Sequence, residues 1–144
     1  MSKALQIEEP DPRHAEPPAR FALLDLGFRT FYLLASVFSA LSILVWAAQF
    51  SAQSSGWLPA GATLQGSLWH GHEMLFGYTV AVIAGFLLTA VRAWTNQPTP
   101  VGTPLALLAA LWLLGRVLVL TPYASAAAWV NAAFPLALAL AIGI

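Results

Sequence analysis

The residues best equipped for chemistry stand together in Trp69-His70-Gly71-His72-Glu73-Met74-Leu75-Phe76-Gly77. The stretch holds two of the 3 histidines and the sole acidic residue after Asp25. Imidazole suits iron, copper and zinc; a thioether adds affinity for copper(I), and both can be axial ligands to haem. His70, His72, Glu73 and Met74 are therefore the candidate metal ligands. The neighbouring His and Glu could also relay a proton. On a helix, residues three and four apart share a face, so His70, Glu73, Met74 and Gly77 lie together. Ala81, Ala84, Gly85 and Leu88 continue that stripe, and small residues let another helix come close. His72 falls about 200° around a regular helix from His70. It serves a second site, or the helix is irregular near Gly71, where glycine permits it. The plainer reading keeps both histidines as interface residues at a span end. No single helix supplies a complete ligand set, so further ligands must come from elsewhere.

A second anomaly is Arg116, which lies inside an apolar segment. It either snorkels to the membrane surface or turns inward to pair with Glu73 or with an anionic group such as a haem propionate.

Composition says what must position these groups. Charged residues make up 8% of the chain and hydrophobic ones 59%, against about 25% charged in ordinary globular domains. Nine of the twelve Asp, Glu, Lys and Arg residues fall before position 30, leaving only Glu73, Arg92 and Arg116 beyond. That supply is too small for the polar shell of a soluble core. The net charge of +0 gives no basic patch for nucleic acid. The absence of cysteine excludes disulfides, thiolate metal sites and cysteine nucleophiles within these residues.

Met1 to Arg20 carries Pro10, Pro12, Pro17, Pro18 and mixed charge, the composition of a disordered tail. Residues 21–144 read as an all-α transmembrane bundle of about four spans, near 30–50, 68–91, 104–120 and 126–144. The first span alone reaches ~31 Å, enough to cross a bilayer core. Gly56, Pro59, Gly61 and Gly66 mark the first connection, with Trp57 an interface anchor. Pro104 suits the first position of the third span, and Thr121-Pro122-Tyr123 is a tight turn. Lys3, Arg13, Arg20 and Arg29 before the first span place the amino terminus in the cytoplasm. By that topology Glu73 and Arg116 lie at similar depth near the outer surface. The sequence stops within its last apolar segment, so we expect it to be the amino-terminal part of a longer protein.

The motif above, with Leu26-Gly27-Phe28-Arg29, the run Val82 to Val91, and Leu111-Trp112-Leu113-Leu114-Gly115-Arg116, resembles the NnrS family over roughly Leu26 to Arg116. Asn96-Gln97 departs from it, standing where a Gly-Arg pair is expected. The resemblance implies a polytopic protein of the bacterial inner membrane that contains haem and copper and acts in the response to nitric oxide and nitrosative stress during denitrification. It implies His70, His72, Met74 and Arg116 as cofactor-binding residues. It also implies the lipid bilayer, nitric oxide or a redox partner, and the helices of a longer protein or oligomer as partners. It assigns no catalytic residue. The alternative is a transporter or membrane scaffold in which Glu73 and Arg116 form a structural pair without a cofactor. Changing both His70 and His72 to Ala is expected to lower bound metal while leaving membrane insertion intact, as read by metal analysis of purified protein from the membrane fraction.

Overall fold

The structure, a computed structural model, describes residues 23–56 and 64–143. The expected tail over 1–20 and the anchor Trp57 lie outside the described residues. Four helices follow in order: α1 (Gly27–Ser54), α2 (Gly66–Thr95), α3 (Thr103–Val119) and α4 (Ala124–Ala141). No strand occurs among the described residues. Three of the helices are long and apolar enough to cross a membrane, whereas α3 has 17 residues. At 1.5 Å per residue it reaches about 26 Å, at the short limit for a span.

The helix ends follow local chemistry. α1 runs four residues past the expected Phe50, because Ser51 to Ser54 carry no helix breaker and Gly56 first takes a left-handed φ of 72°. α2 stops at Asn96, with φ 54° and its N–H on the Arg92 carbonyl. Asparagine is the usual second choice to glycine in that position, which explains how Asn96 stands where a glycine was expected. Gly102, with φ 62°, precedes α3, and Pro104 occupies its first turn. α4 carries Pro135 inside it, which has no N–H to offer the Asn131 carbonyl one turn back.

Consecutive helices run antiparallel. The Gly66 N–H donates to Gln49 Oε1 at 2.6 Å, fastening the end of α1 to the start of α2. At the opposite end the Gly102 N–H donates to the Leu24 carbonyl at 2.8 Å, tying the entry of α3 to the entry of α1. Phe31 near the start of α1 meets Phe134 late in α4, ring centroids 5.7 Å apart.

The interior divides into two apolar clusters. The larger gathers Phe31 and Ala35, Ala81, Ala84 and Leu88, Leu105, Leu108 and Trp112, and Phe134 and Leu138. The smaller is formed by Trp69, Val119 and Ala127. Most bulky side chains face outward instead: Leu44, Leu68, Leu107, Trp129 and Leu140 are exposed. An apolar coat around a core of small residues is the arrangement suited to lipid, where helices gain from close packing rather than from hiding oil from water.

Close approach of α1 and α2 depends on glycine. A Cβ at Gly27 would lie 2.7 Å from Leu88 Cβ and 2.6 Å from its Cδ1. Overpacking of this kind costs about 1–3 kcal/mol. Gly27→Ala is expected to lower the thermal stability of the detergent-purified protein by that order, whereas Gly71→Ala, where a Cβ meets nothing within 4 Å, is expected to leave it near wild type.

Candidate functional site: a charged layer between two apolar clusters

Three helices repeat one vertical pattern of apolar, polar, apolar. On α2 it is Trp69, Glu73, Ala81; on α3 it is Val119, Arg116, Trp112; on α4 it is Ala127, Asn131, Phe134. The antiparallel course of the chain puts the three polar residues in one layer. Glu73 is 0% exposed and Arg116 6%.

The layer is held by a chain of contacts. His72 Nδ1 lies 2.9 Å from Glu73 Oε1. Glu73 Oε2 faces Arg116 Nη1 at 3.4 Å. Arg116 Nη2 donates to Asn131 Oδ1, and Asn131 Nδ2 in turn donates to the Ala127 carbonyl at 2.8 Å. The guanidinium also sits 5.7 Å from the Trp112 ring centroid, within reach of a cation–π attraction. Two charges removed from water cost several kcal/mol each, and their attraction offsets this only where partners satisfy the remaining polar atoms. Here His72 and Asn131 take one oxygen and one N–H, while Arg116 Nε and Nη1 and Glu73 Oε2 have no hydrogen-bond partner.

A change of helix type brings Glu73 to this place. Residues Glu73–Thr79 wind as a π-helix between α-helical stretches Gly66–His72 and Val80–Thr95. The buried residues Trp69, Glu73, Gly77 and Ala81 are each four apart. In a regular α-helix each step of four overshoots a turn by about 40°, and the stripe would drift off the core. The wider turn of the π-helix cancels that drift. Its looser backbone takes side-chain donors: Trp112 Nε1 donates to the Gly77 carbonyl at 3.1 Å, and the Thr79 hydroxyl to the Met74 carbonyl at 2.8 Å. Gly77 is where the layer leaves no room. A Cβ there would meet Phe38 at 2.5 Å, Arg116 Nη1 at 2.9 Å and Glu73 Oε2 at 3.0 Å.

The expected inward stripe therefore holds for Glu73, Gly77, Ala81, Ala84, Gly85 and Leu88, while His70 and Met74 are half-buried at its margin. The irregularity expected near Gly71 begins two residues later. Arg116 turns inward and pairs with Glu73 rather than snorkelling. His70 and His72 engage different neighbours. The His70 ring lies 5.0 Å from that of Trp46 on α1, and the His72 ring stacks 4.8 Å from Phe76. Asn131 and Trp112 escaped the reading of the sequence. A lone amide in an otherwise apolar segment was the available signal for Asn131. Trp112, in the middle of the third span, is 2% exposed.

As a test of metal or haem binding, the set is incomplete. Among the described residues no three His, Cys, Asp or Glu side chains are grouped to hold a metal ion. Glu73 is engaged by His72 and Arg116. Of the two histidines, His70 presents a buried ring nitrogen, Nδ1, without a hydrogen-bond partner, which suits a single coordination position rather than a closed site.

A helical bundle with an apolar exterior and a charged layer buried within it defines an integral membrane protein. The chain belongs to the NnrS family, whose sequence model (NnrS protein) matches residues 22–144. No curated protein and no solved structure matches it.

The charge pair makes its own prediction. Breaking a buried pair strands a charge and costs about 3–5 kcal/mol, whereas replacing both partners by apolar groups is near neutral. Arg116→Leu is expected to destabilise by that order, and Glu73→Leu/Arg116→Leu to recover most of it, as measured by thermal unfolding in detergent.

Proposed function

We propose that this protein binds haem, copper or both in the bacterial inner membrane, and that it acts in the response to nitric oxide and nitrosative stress. Its helices cross the bilayer several times with the amino terminus in the cytoplasm, which sets the charged layer towards the outer side. The observation that carries the cofactor reading within this chain is the unpartnered, buried Nδ1 of His70 in the His-x-His-Glu-Met motif of an NnrS-family protein. His70 supplies one ligand position against the Trp46 ring. Met74, half-buried one turn on, is the second donor of the motif. His72 is held by Glu73 and contributes less to metal binding. Groups outside the described residues complete the set. Bound haem or copper supplies the redox and gas-binding chemistry that these side chains lack. Arg116 orients Glu73 and Asn131 and keeps the layer rigid.

A second reading is favoured by the Glu73–Arg116 contact at 3.4 Å. In it the pair is the architectural element of a transporter or scaffold, and no cofactor is needed.

An optical spectrum with metal analysis on detergent-purified protein separates them. The cofactor reading expects a Soret band or stoichiometric copper, lost in His70→Ala and largely kept in His72→Ala. Wild-type protein free of both haem and copper, in a preparation where another family member is loaded, would mean that these helices do not by themselves hold the cofactor. If neither protein carried a metal, the scaffold reading would stand.

A further inference from the structure

A cavity of about 70 Å³ lies against the charged layer on the side facing α4. Its walls are apolar, with Phe76, Val80, Val130 and Phe134 among them, and its polar corner is Arg116 beside Asn131. This volume holds several atoms, since one water needs about 10–15 Å³ on this measure. Phe76 and Pro135 on its rim are exposed, so the cavity opens between α2 and α4 on the apolar flank of the bundle.

Two observations point to an occupant. Arg116 is 6% exposed, yet its Nε and Nη1 have no hydrogen-bond partner. A buried donor without an acceptor is costly, and an acceptor in the cavity removes that cost. The charge state of the layer then selects the chemistry. Glu73 already faces the guanidinium at 3.4 Å, so a second anion would leave an unbalanced negative charge in a dry interior. A neutral acceptor brings no such penalty. The apolar walls and the opening towards lipid demand the same thing.

We propose that this cavity is a binding site for a small, uncharged, lipid-soluble molecule of no more than about five to seven heavy atoms, seated with its apolar end against Phe134 and Val130 and its hydrogen-bond-accepting end on Arg116. The site is separate from His70 and does not rest on the cofactor reading.

Acetonitrile is a suitable probe: three heavy atoms, neutral, with an apolar methyl and an acceptor nitrogen whose stretching frequency rises on hydrogen bonding. The purified protein in detergent is titrated with isotope-labelled acetonitrile, following saturation transfer by NMR and the nitrile band by infrared. Wild type is expected to show saturable transfer and a shifted nitrile band. Val130→Phe, which fills the cavity, is expected to abolish both, and Val130→Ala, which widens it, to keep both. Arg116→Lys retains the charge but loses the Nε donor, and is expected to lose the band shift and weaken binding by about ten- to a hundredfold, the worth of one hydrogen bond to a charged group. Undiminished transfer in a folded Val130→Phe protein, or an unshifted band in wild type, would overturn the proposal. So would sodium formate binding more tightly than acetonitrile in the same assay, which would make the site one for anions.

Discussion

A carboxylate and a guanidinium face each other at 3.4 Å inside a bundle that has almost no other charge. Neither could stay in an apolar interior alone, so α2 and α3 must meet at that level. Asn131 extends the same constraint to α4 by taking an Arg116 N–H. Packing between small residues has little directional preference, and many rotations of four apolar helices would bury similar areas. The Glu73–Arg116–Asn131 layer accepts only one of them. The two apolar clusters on either side of it, one around Phe31 and Leu105, the other around Trp69 and Val119, then fall into register. We regard the layer as the element that gives this fold its uniqueness, in the way a buried polar group fixes register in a coiled coil.

The π-helical segment is the backbone's accommodation to that layer. Glu73 and Gly77 must both face α3, the first to meet Arg116 and the second to let it pass. The chain holds them four apart and changes its winding over Glu73–Thr79. A π-segment within an α-helix is frequently found at functional sites. Here it also presents the Gly77 carbonyl to Trp112, so the indole that stacks near Arg116 is itself aimed by the irregular turn.

Much of the fold was legible in the sequence because membrane helices announce themselves by length and apolar content. The spans at 68–91 and 104–120 lie within a few residues of Gly66–Thr95 and Thr103–Val119. The pairing of Glu73 with Arg116 was legible too, since two charges in a long apolar chain need each other and the positive residues set them at one depth. The phase of α2 was not. A wheel of 3.6 residues places Met74 and His70 on the inner face, and nothing in a one-dimensional pattern signals a wider turn except a run of fours, Trp69, Glu73, Gly77, Ala81, that becomes visible once burial is known. Asn131 was hidden for another reason. Its role depends on α4 folding back beside α3, a tertiary fact that no local pattern encodes. The ligand set for haem or copper stayed open because His70 and His72, two positions apart, engage different neighbours, and the structure gives each its own.

The unequal helix lengths give the bundle a slanted rim. α1 and α2, of 28 and 30 residues, extend about 42 and 45 Å, while α3 and α4, of 17 and 18, extend only about 26 and 27 Å. A bilayer core near 30 Å fits the first pair with length to spare, while the second falls a few Å short of it, a mismatch met by thinning of the bilayer, by flanking side chains or by association with other helices. Where thinning meets the mismatch, headgroups and water come inward at the turn of Thr121 to Tyr123. Arg116 stands one turn from the end of α3, directly beneath this dimple. Hydrophobic mismatch thus brings the aqueous boundary closest to the bundle where its interior is most polar, and a membrane of different thickness would change the depth of that approach.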